Sequence, residues 1–276
     1  MAVHLRRVSR KPGTADTTFP FSVPTIASLG ELDVAAPVTF FVGENGSGKS
    51  TLLEGIAAAA GLPAVGAADL ARDQTLAAQR RLSRALRLVW TQRAVRGFFL
   101  RAEDFFGFTK RLAQERAELQ QQLTDTEREY RAADRSDRAL GLAQGPLKSS
   151  LADMERRYGA DLDANSHGQS FLQLFRSRFV PGGLFLLDEP EAPLSPQSQL
   201  ALLVLLDDMV AQQAQFIIAT HSPMLLAFPG ARIYSFDTAP VRAVAYAALD
   251  HVALTRDFLN HPEQYLRRLQ REGERH

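Results

Sequence analysis

Gly43-Glu44-Asn45-Gly46-Ser47-Gly48-Lys49-Ser50 places its glycines, lysine and serine at the spacing G-x-x-x-x-G-K-[ST], the arrangement that cradles a row of phosphates. The glycines let the backbone curl until successive amide N–H groups face the phosphates. A helix starting behind them adds its positive dipole end, Lys49 reaches the terminal phosphates and Ser50 ligates magnesium. Glu44, Asn45, Ser47 and Thr51 complete the nucleotide-contacting set. A second chemical group is Leu184-Phe185-Leu186-Leu187-Asp188-Glu189, an apolar run ending in two acids. Asp188 is expected to hold the magnesium shell. Glu189 is expected to act as general base or water positioner for attack on the terminal phosphorus. Thr220-His221-Ser222-Pro223 follows another apolar run, so His221 should emerge at the same edge and contact the terminal phosphate or the attacking water.

These side chains need a sheet to bring them together. Val38-Thr39-Phe40-Phe41-Val42 reads as a buried strand entering the glycine loop, and Lys49 to Ala60 as the helix leaving it, ending near Gly61-Leu62-Pro63. Leu184 to Leu187 and Phe216 to Ala219 are continuously apolar, as strands of a parallel sheet covered on both faces must be, and they bracket a helix from Pro196 to Ala211. Val3 to Val8 is a further strand, Gly97 to Arg101 another, and Gln79 to Thr91 reads as a helix. Residues 109–160 carry leucines on one helical face twice (Leu112, Leu119, Leu123, then Leu147, Leu151, Met154, Tyr158), with a turn-prone Gly141 to Pro146 between them. That pattern predicts a helical hairpin, either a protruding coiled-coil arm or a packed pair. Ile233 to Phe236, Val244 to Tyr246 and a polar helix from Thr255 complete the chain. The expectation is one α/β domain over 1–276 with the hairpin as an insertion.

Composition narrows the chemistry. With 276 residues, 45% of them hydrophobic, the chain is long enough for one sizeable core. The absence of cysteine removes disulfides, thiolate zinc sites and cysteine nucleophiles. No apolar stretch is long enough to span a bilayer and the N-terminus lacks a signal-peptide core, which predicts a cytoplasmic protein without membrane insertion. A formal net charge of +1 makes no case for nucleic acid, so any such case must be local.

Taken together, Gly43 to Ser50, Ser166-His167-Gly168-Gln169-Ser170, Leu184 to Glu189, Pro190 to Ser195 and Ala219 to Pro223 resemble the ABC-type ATPases, in the soluble branch akin to SMC and RecF. The set is most similar to compact stand-alone bacterial proteins labelled AAA family ATPase. The resemblance covers both ends and the motif core and leaves the helical insertion outside it; it implies a P-loop NTPase fold with an ABC-ATPase-like mixed or parallel sheet and an N-terminal antiparallel part. It implies an ATPase using Mg2+ and a homodimer that sandwiches each ATP between one chain's P-loop and the other's signature, here Ser166, Gly168 and Gln169. His167 stands where a glycine is typical. Glu191 to Ser195 would cross the dimer and His221 would be the switch histidine. The family's magnesium-sensing glutamine has no clear match; Glu103 stands at a suitable place, as a metal contact or as a plain surface acid. Phe19 or Phe21 either stacks on adenine or belongs to the core.

Between Asp73 and Glu103 there is no acid, while Arg80, Arg81, Arg84, Arg87, Arg93, Arg96 and Arg101 all fall there. On the expected helix Arg80, Arg84 and Arg87 share a face that either contacts backbone phosphates of DNA or is simply solvated. The favoured reading is an ATP-dependent dimerising switch linked to DNA repair, maintenance or defence. The alternatives are a nucleotide-binding subunit powering a separate membrane transporter and a module that holds ATP without hydrolysing it.

Overall fold

The computed structural model describes residues 3–12, 17–65, 76–93, 96–158 and 167–273. Continuous apolarity did what burial on two faces requires: Val38–Val42 (β3), Leu184–Asp188 (β6) and Gln215–Ala219 (β7) are buried at every position. With Gly97–Arg101 (β5), Arg232–Ser235 (β8) and Arg242–Val244 (β9) they form a six-stranded sheet in the order β5-β6-β7-β3-β8-β9. All neighbours are parallel except β8 and β9. The register sets Arg101 opposite Asp188, Asp188 opposite Ala219 and Phe41 opposite Ala219, so the carboxyl ends of these strands share one edge.

Val38, Phe40 and Val42 point to one face of this sheet, into a core shared with helices His167–Arg178 (α6) and Pro196–Ala211 (α7). Phe41 points to the other, toward helix Lys49–Ala60 (α2). The second core is closed by a three-stranded antiparallel sheet in the order Glu31–Asp33 (β2), Leu5–Arg10 (β1), Leu86–Trp90 (β4). Gln215, fully buried at the start of β7, ties the sheets together. Its side-chain oxygen accepts from His4 N (3.0 Å) and Leu5 N (2.8 Å), and its amide donates to Leu5 O and Val34 O (both 2.8 Å). A buried amide with its hydrogen bonds satisfied fixes one register where an apolar residue would not.

Three sequence expectations shift. Gln79 to Thr91 is not one helix: Leu76–Ala85 (α3) ends and β4 follows, paired antiparallel to β1. Leu86-Arg87-Leu88 alternates, and placing Leu86 in the second core satisfies the period of two rather than 3.6. Arg87 therefore lies on a strand and leaves the helical face of Arg80 and Arg84. The hairpin consists of Ala102–Ala132 (α4) and Asp137–Tyr158 (α5), reversing at residues 133–136 rather than at Gly141 to Pro146. Asp134 takes a left-handed φ of 47° there, and Ser136 Oγ accepts from Ala139 N, so capping chemistry outweighs the later glycines, which α5 absorbs together with Pro146. The polar C-terminal helix is two helices, Asp250–Asn260 (α8) and Pro262–Gly273 (α9), separated at Pro262, which cannot continue the donor ladder. Among the described residues no helix is long and apolar enough to cross a membrane.

Candidate nucleotide site

β3 delivers the chain into the glycine loop, and β6, β7 and β8 of the same sheet deliver the remaining groups. Gly48 caps α2 with φ +101° and packs onto the short helix Pro24–Ala27 (α1), whose Thr25 hydroxyl donates to Ser47 O. A Cβ added at Gly48 would meet Thr25 Oγ1 at 2.7 Å and Val23 Cγ1 at 2.9 Å, in a backbone region that L residues rarely enter. Gly48→Ala is therefore expected to strain the loop by about 1–3 kcal/mol and weaken ATP binding by about tenfold or more in an equilibrium titration. At the other end of the loop, Glu44 N donates to Asp237 Oδ1 (3.0 Å), and Ser235 Oγ donates to Asp237 Oδ2 (2.8 Å). Asp237, just beyond β8, thus pins the loop opening. Its only signal in sequence is its position after a strand.

The Lys49 ammonium is buried and folds back to donate to Gly43 O (2.6 Å) and Glu44 O (3.0 Å). Burial pulls its pKa below the usual lysine value, opposed by the carboxylates of Glu189, Asp188, Asp237 and Glu44. Ser50 Oγ donates to Asp188 Oδ1 at 3.0 Å. Asp188, 8% exposed, has its pKa pushed up to about 6 by desolvation, against the lowering effects of the Ser50 hydrogen bond, Arg101 and Lys49. A serine hydroxyl and a carboxylate at the mouth of a phosphate loop are hard oxygen donors that suit Mg2+, which takes few protein ligands beside phosphate and water. No set of three or more histidines and acids fit to hold a metal on their own occurs among the described residues.

Glu189 follows β6 with a left-handed φ of 51°, and its amide donates to Ala219 O (2.8 Å). A non-glycine residue held there is backbone strain at the position of the candidate base. Its Oε1 lies 3.6 Å from His221 Nε2, too long for a direct hydrogen bond. Burial and the Lys49 cation lower the His221 pKa, which favours the neutral ring. Glu191 is the buttress: its Oε1 accepts from His221 N at 2.7 Å, and burial raises its pKa. The resemblance places Glu191 in a loop at the dimer; within one chain it holds the histidine's backbone.

The other sequence candidates divide. Gly168 and Gln169 begin α6, in its first turn rather than in a loop before it, and Ser166 lies outside the described residues. Glu103 is exposed in the first turn of α4, and the nearby side chain that reaches Asp188 is Arg101, whose Nε is 3.8 Å from Asp188 Oδ2. Phe21 is buried under the Arg10 guanidinium, while Phe19 is 53% exposed, with its carbonyl held by Arg81. Arg80 and Arg84 are exposed on α3.

The parallel strands thus bring the glycine loop, Asp188, Glu189 and His221 to one edge of the sheet. Residues 20–69, which contain the phosphate loop, match a family model described as "AAA domain". Residues 169–227, which contain Asp188, Glu189 and His221, match one described as "AAA domain, putative AbiEii toxin, Type IV TA system". Both are likenesses to AAA-domain models over separate stretches of the chain. Among solved structures, one described as "An inward-facing conformation of a putative metal-chelate type ABC transporter" is 15% identical, with a TM-score of 0.45 over 89% of this chain and 85% of that one. No curated protein matches the chain.

Proposed function

We propose that this chain hydrolyses ATP with Mg2+ and works as a switch that closes when two copies sandwich the nucleotide. The observation that carries the reading is the convergence at one sheet edge of Lys49, the Ser50–Asp188 pair, and Glu189 facing His221. Bound Mg2+ would be held by Ser50 and, in its outer shell, Asp188, and would supply charge neutralisation for the transferred phosphoryl group. Lys49 would leave its two loop carbonyls for the phosphate oxygens. Glu189 would orient and deprotonate the attacking water, and the neutral His221 ring would share that water or the terminal phosphate. Ser166, Gly168 and Gln169 of a second copy would complete the clamp.

Work on DNA is the preferred output, with repair, maintenance or defence as the process. The toxin–antitoxin wording of the model matched at 169–227 is in keeping with defence. Arg80 and Arg84, one turn apart on α3, are the remaining basic pair for a phosphate backbone. The test is ATPase rate against protein concentration, with and without DNA. A rate per chain that climbs with concentration and rises with DNA, and whose DNA response is lost in Arg80→Glu/Arg84→Glu, is expected. A rate per chain that is constant and blind to DNA removes both the sandwich and the DNA role.

A further inference from the structure

A pocket beside the nucleotide edge takes no part in the chemistry above. It measures about 680 Å3 and lies between α7 and α8, with the segment after β7 as its floor. That is within the range of about 300–1,000 Å3 usual for small-molecule sites. Leu203 of α7, Met224, Tyr246 and Val252 of α8 form its apolar lining, and Leu200 and Leu259, 53% and 71% exposed, stand at its rim. Hydrogen bonds hold its shape. Ser222 Oγ donates to Gln199 Oε1 (2.6 Å), Gln199 Nε2 donates to Leu194 O (3.3 Å), and Tyr246 OH donates to Pro223 O (3.1 Å). A preformed cavity asks little ordering of the protein when a ligand enters.

Those bonds also decide which polar groups remain for a ligand. Gln199, Ser222 and Tyr246 are engaged with one another and with the backbone. Thr255 Oγ1 donates to His251 O (2.7 Å), and Glu191 Oε1 accepts from His221 N (2.7 Å). The His221 ring faces Glu189 on the nucleotide side. Arg256 differs: exposed and lining the pocket, it forms no hydrogen bond or ion pair among the described residues. The acid next to it in the chain, Asp257, is taken by Tyr265 (2.6 Å) and His261 (3.1 Å). Apolar walls with one unpaired guanidinium suit a molecule that has an apolar body and an anionic head.

We infer that this pocket binds a free fatty carboxylate, with its head on Arg256 and its acyl chain against Leu203, Met224, Tyr246 and Val252. From Val252 to Leu259 the α8 wall runs about 10 Å, the reach of a medium-length acyl chain. Each methylene laid on these walls leaves water, which supplies affinity, while the guanidinium supplies the choice of head group. A bilayer surface is met by clusters of basic residues, whereas α8 offers one arginine beside Asp250 and Asp257, so the chemistry fits a single free chain. Nothing in the pocket requires nucleotide, and binding here is independent of the ATPase reading.

The test is titration calorimetry of the full nucleotide-free chain with laurate, kept below micelle formation. Saturable one-to-one binding is expected, with dodecanol and dodecylamine at least about tenfold weaker. Arg256→Gln should weaken laurate about tenfold and leave dodecanol unchanged. Ala227→Trp and Thr255→Trp each place a large ring in the pocket from an exposed position, and each should abolish laurate binding while circular dichroism and the thermal midpoint stay as in wild type. The absence of saturable binding, equal binding of the three head groups, an Arg256→Gln variant that binds laurate as wild type does, or full binding by both tryptophan variants overturns the inference. So does attachment to vesicles of phosphatidylglycerol and phosphatidylcholine without binding of free laurate, which would make this face a lipid contact. A nucleotide-free dimer that Thr255→Trp dissociates would overturn it as well, by giving the pocket to a second copy of the chain.

Discussion

Glu189→Gln is expected to lower kcat for ATP by about 10²- to 10⁴-fold, the usual range for loss of a positioned general base. The substitution keeps the shape of the side chain and removes its charge, so the left-handed backbone at φ 51° and the amide bond to Ala219 O should survive. KM should change far less than kcat, because Glu189 acts on the water rather than on the bound phosphates. With Mg2+ and ATP present, the variant should accumulate as a nucleotide-trapped dimer by mass in solution, a species the wild type consumes. His221→Ala should give a smaller loss, since the neutral ring 3.6 Å from Glu189 shares the water rather than generating the nucleophile. A kcat within threefold of wild type for Glu189→Gln would take the base assignment away from this residue and with it the chemical step proposed for the site.

Much of this site is legible in the sequence because each of its parts is local. The P-loop is a contiguous string whose glycines answer to backbone geometry. The acids of β6 and the histidine after β7 each sit at the end of an apolar run that can only be a buried strand, and parallel strands necessarily bring such ends to one edge. The missed residues act across elements. Asp237 pins Glu44 over 193 positions of chain, Glu191 holds His221 N, and Arg101 lies between Glu54 and Asp188; no spacing rule relates the members of these sets. The fold errors have the same origin. Arg80, Arg84 and Arg87 fit a helical face as well as Leu86-Arg87-Leu88 fits a strand, and only pairing to β1 decides between them. Likewise Gly141, Gly145 and Pro146 looked like the hairpin reversal, but they lie inside α5, where the helix pair packs; Gln144 is buried there and donates to Leu123 O (3.3 Å).

The site also has a stability cost that a second variant should expose. Asp188→Asn is expected to abolish Mg2+-dependent turnover and yet to stabilise the nucleotide-free protein at pH 7.5. The carboxyl pKa is raised to about 6 from 3.8 by burial, so between those values the folded state holds a proton that the unfolded chain has released. Stability from this group is therefore full below pH 3.8 and is lost as pH rises through about 6. Above that the fold carries a buried charge at a cost of about 3 kcal/mol, taken from about two pKa units at 1.36 kcal/mol each. Asparagine keeps a side-chain oxygen for the Ser50 hydroxyl and carries no charge, and Arg101 retains Glu54 as its partner. Denaturant melts of the nucleotide-free protein should show the variant gaining about 1–3 kcal/mol over wild type at pH 7.5 and converging with it near pH 4. Mg2+ with ATP should reverse the order at pH 7.5, since only the wild-type carboxylate can offset its own desolvation with the divalent ion, and binding there should release a proton as the pH falls toward 6. A variant less stable than wild type at both pH values would mean that the Asp188 charge is already well compensated by Arg101 and Ser50, and that its burial stores none of this energy.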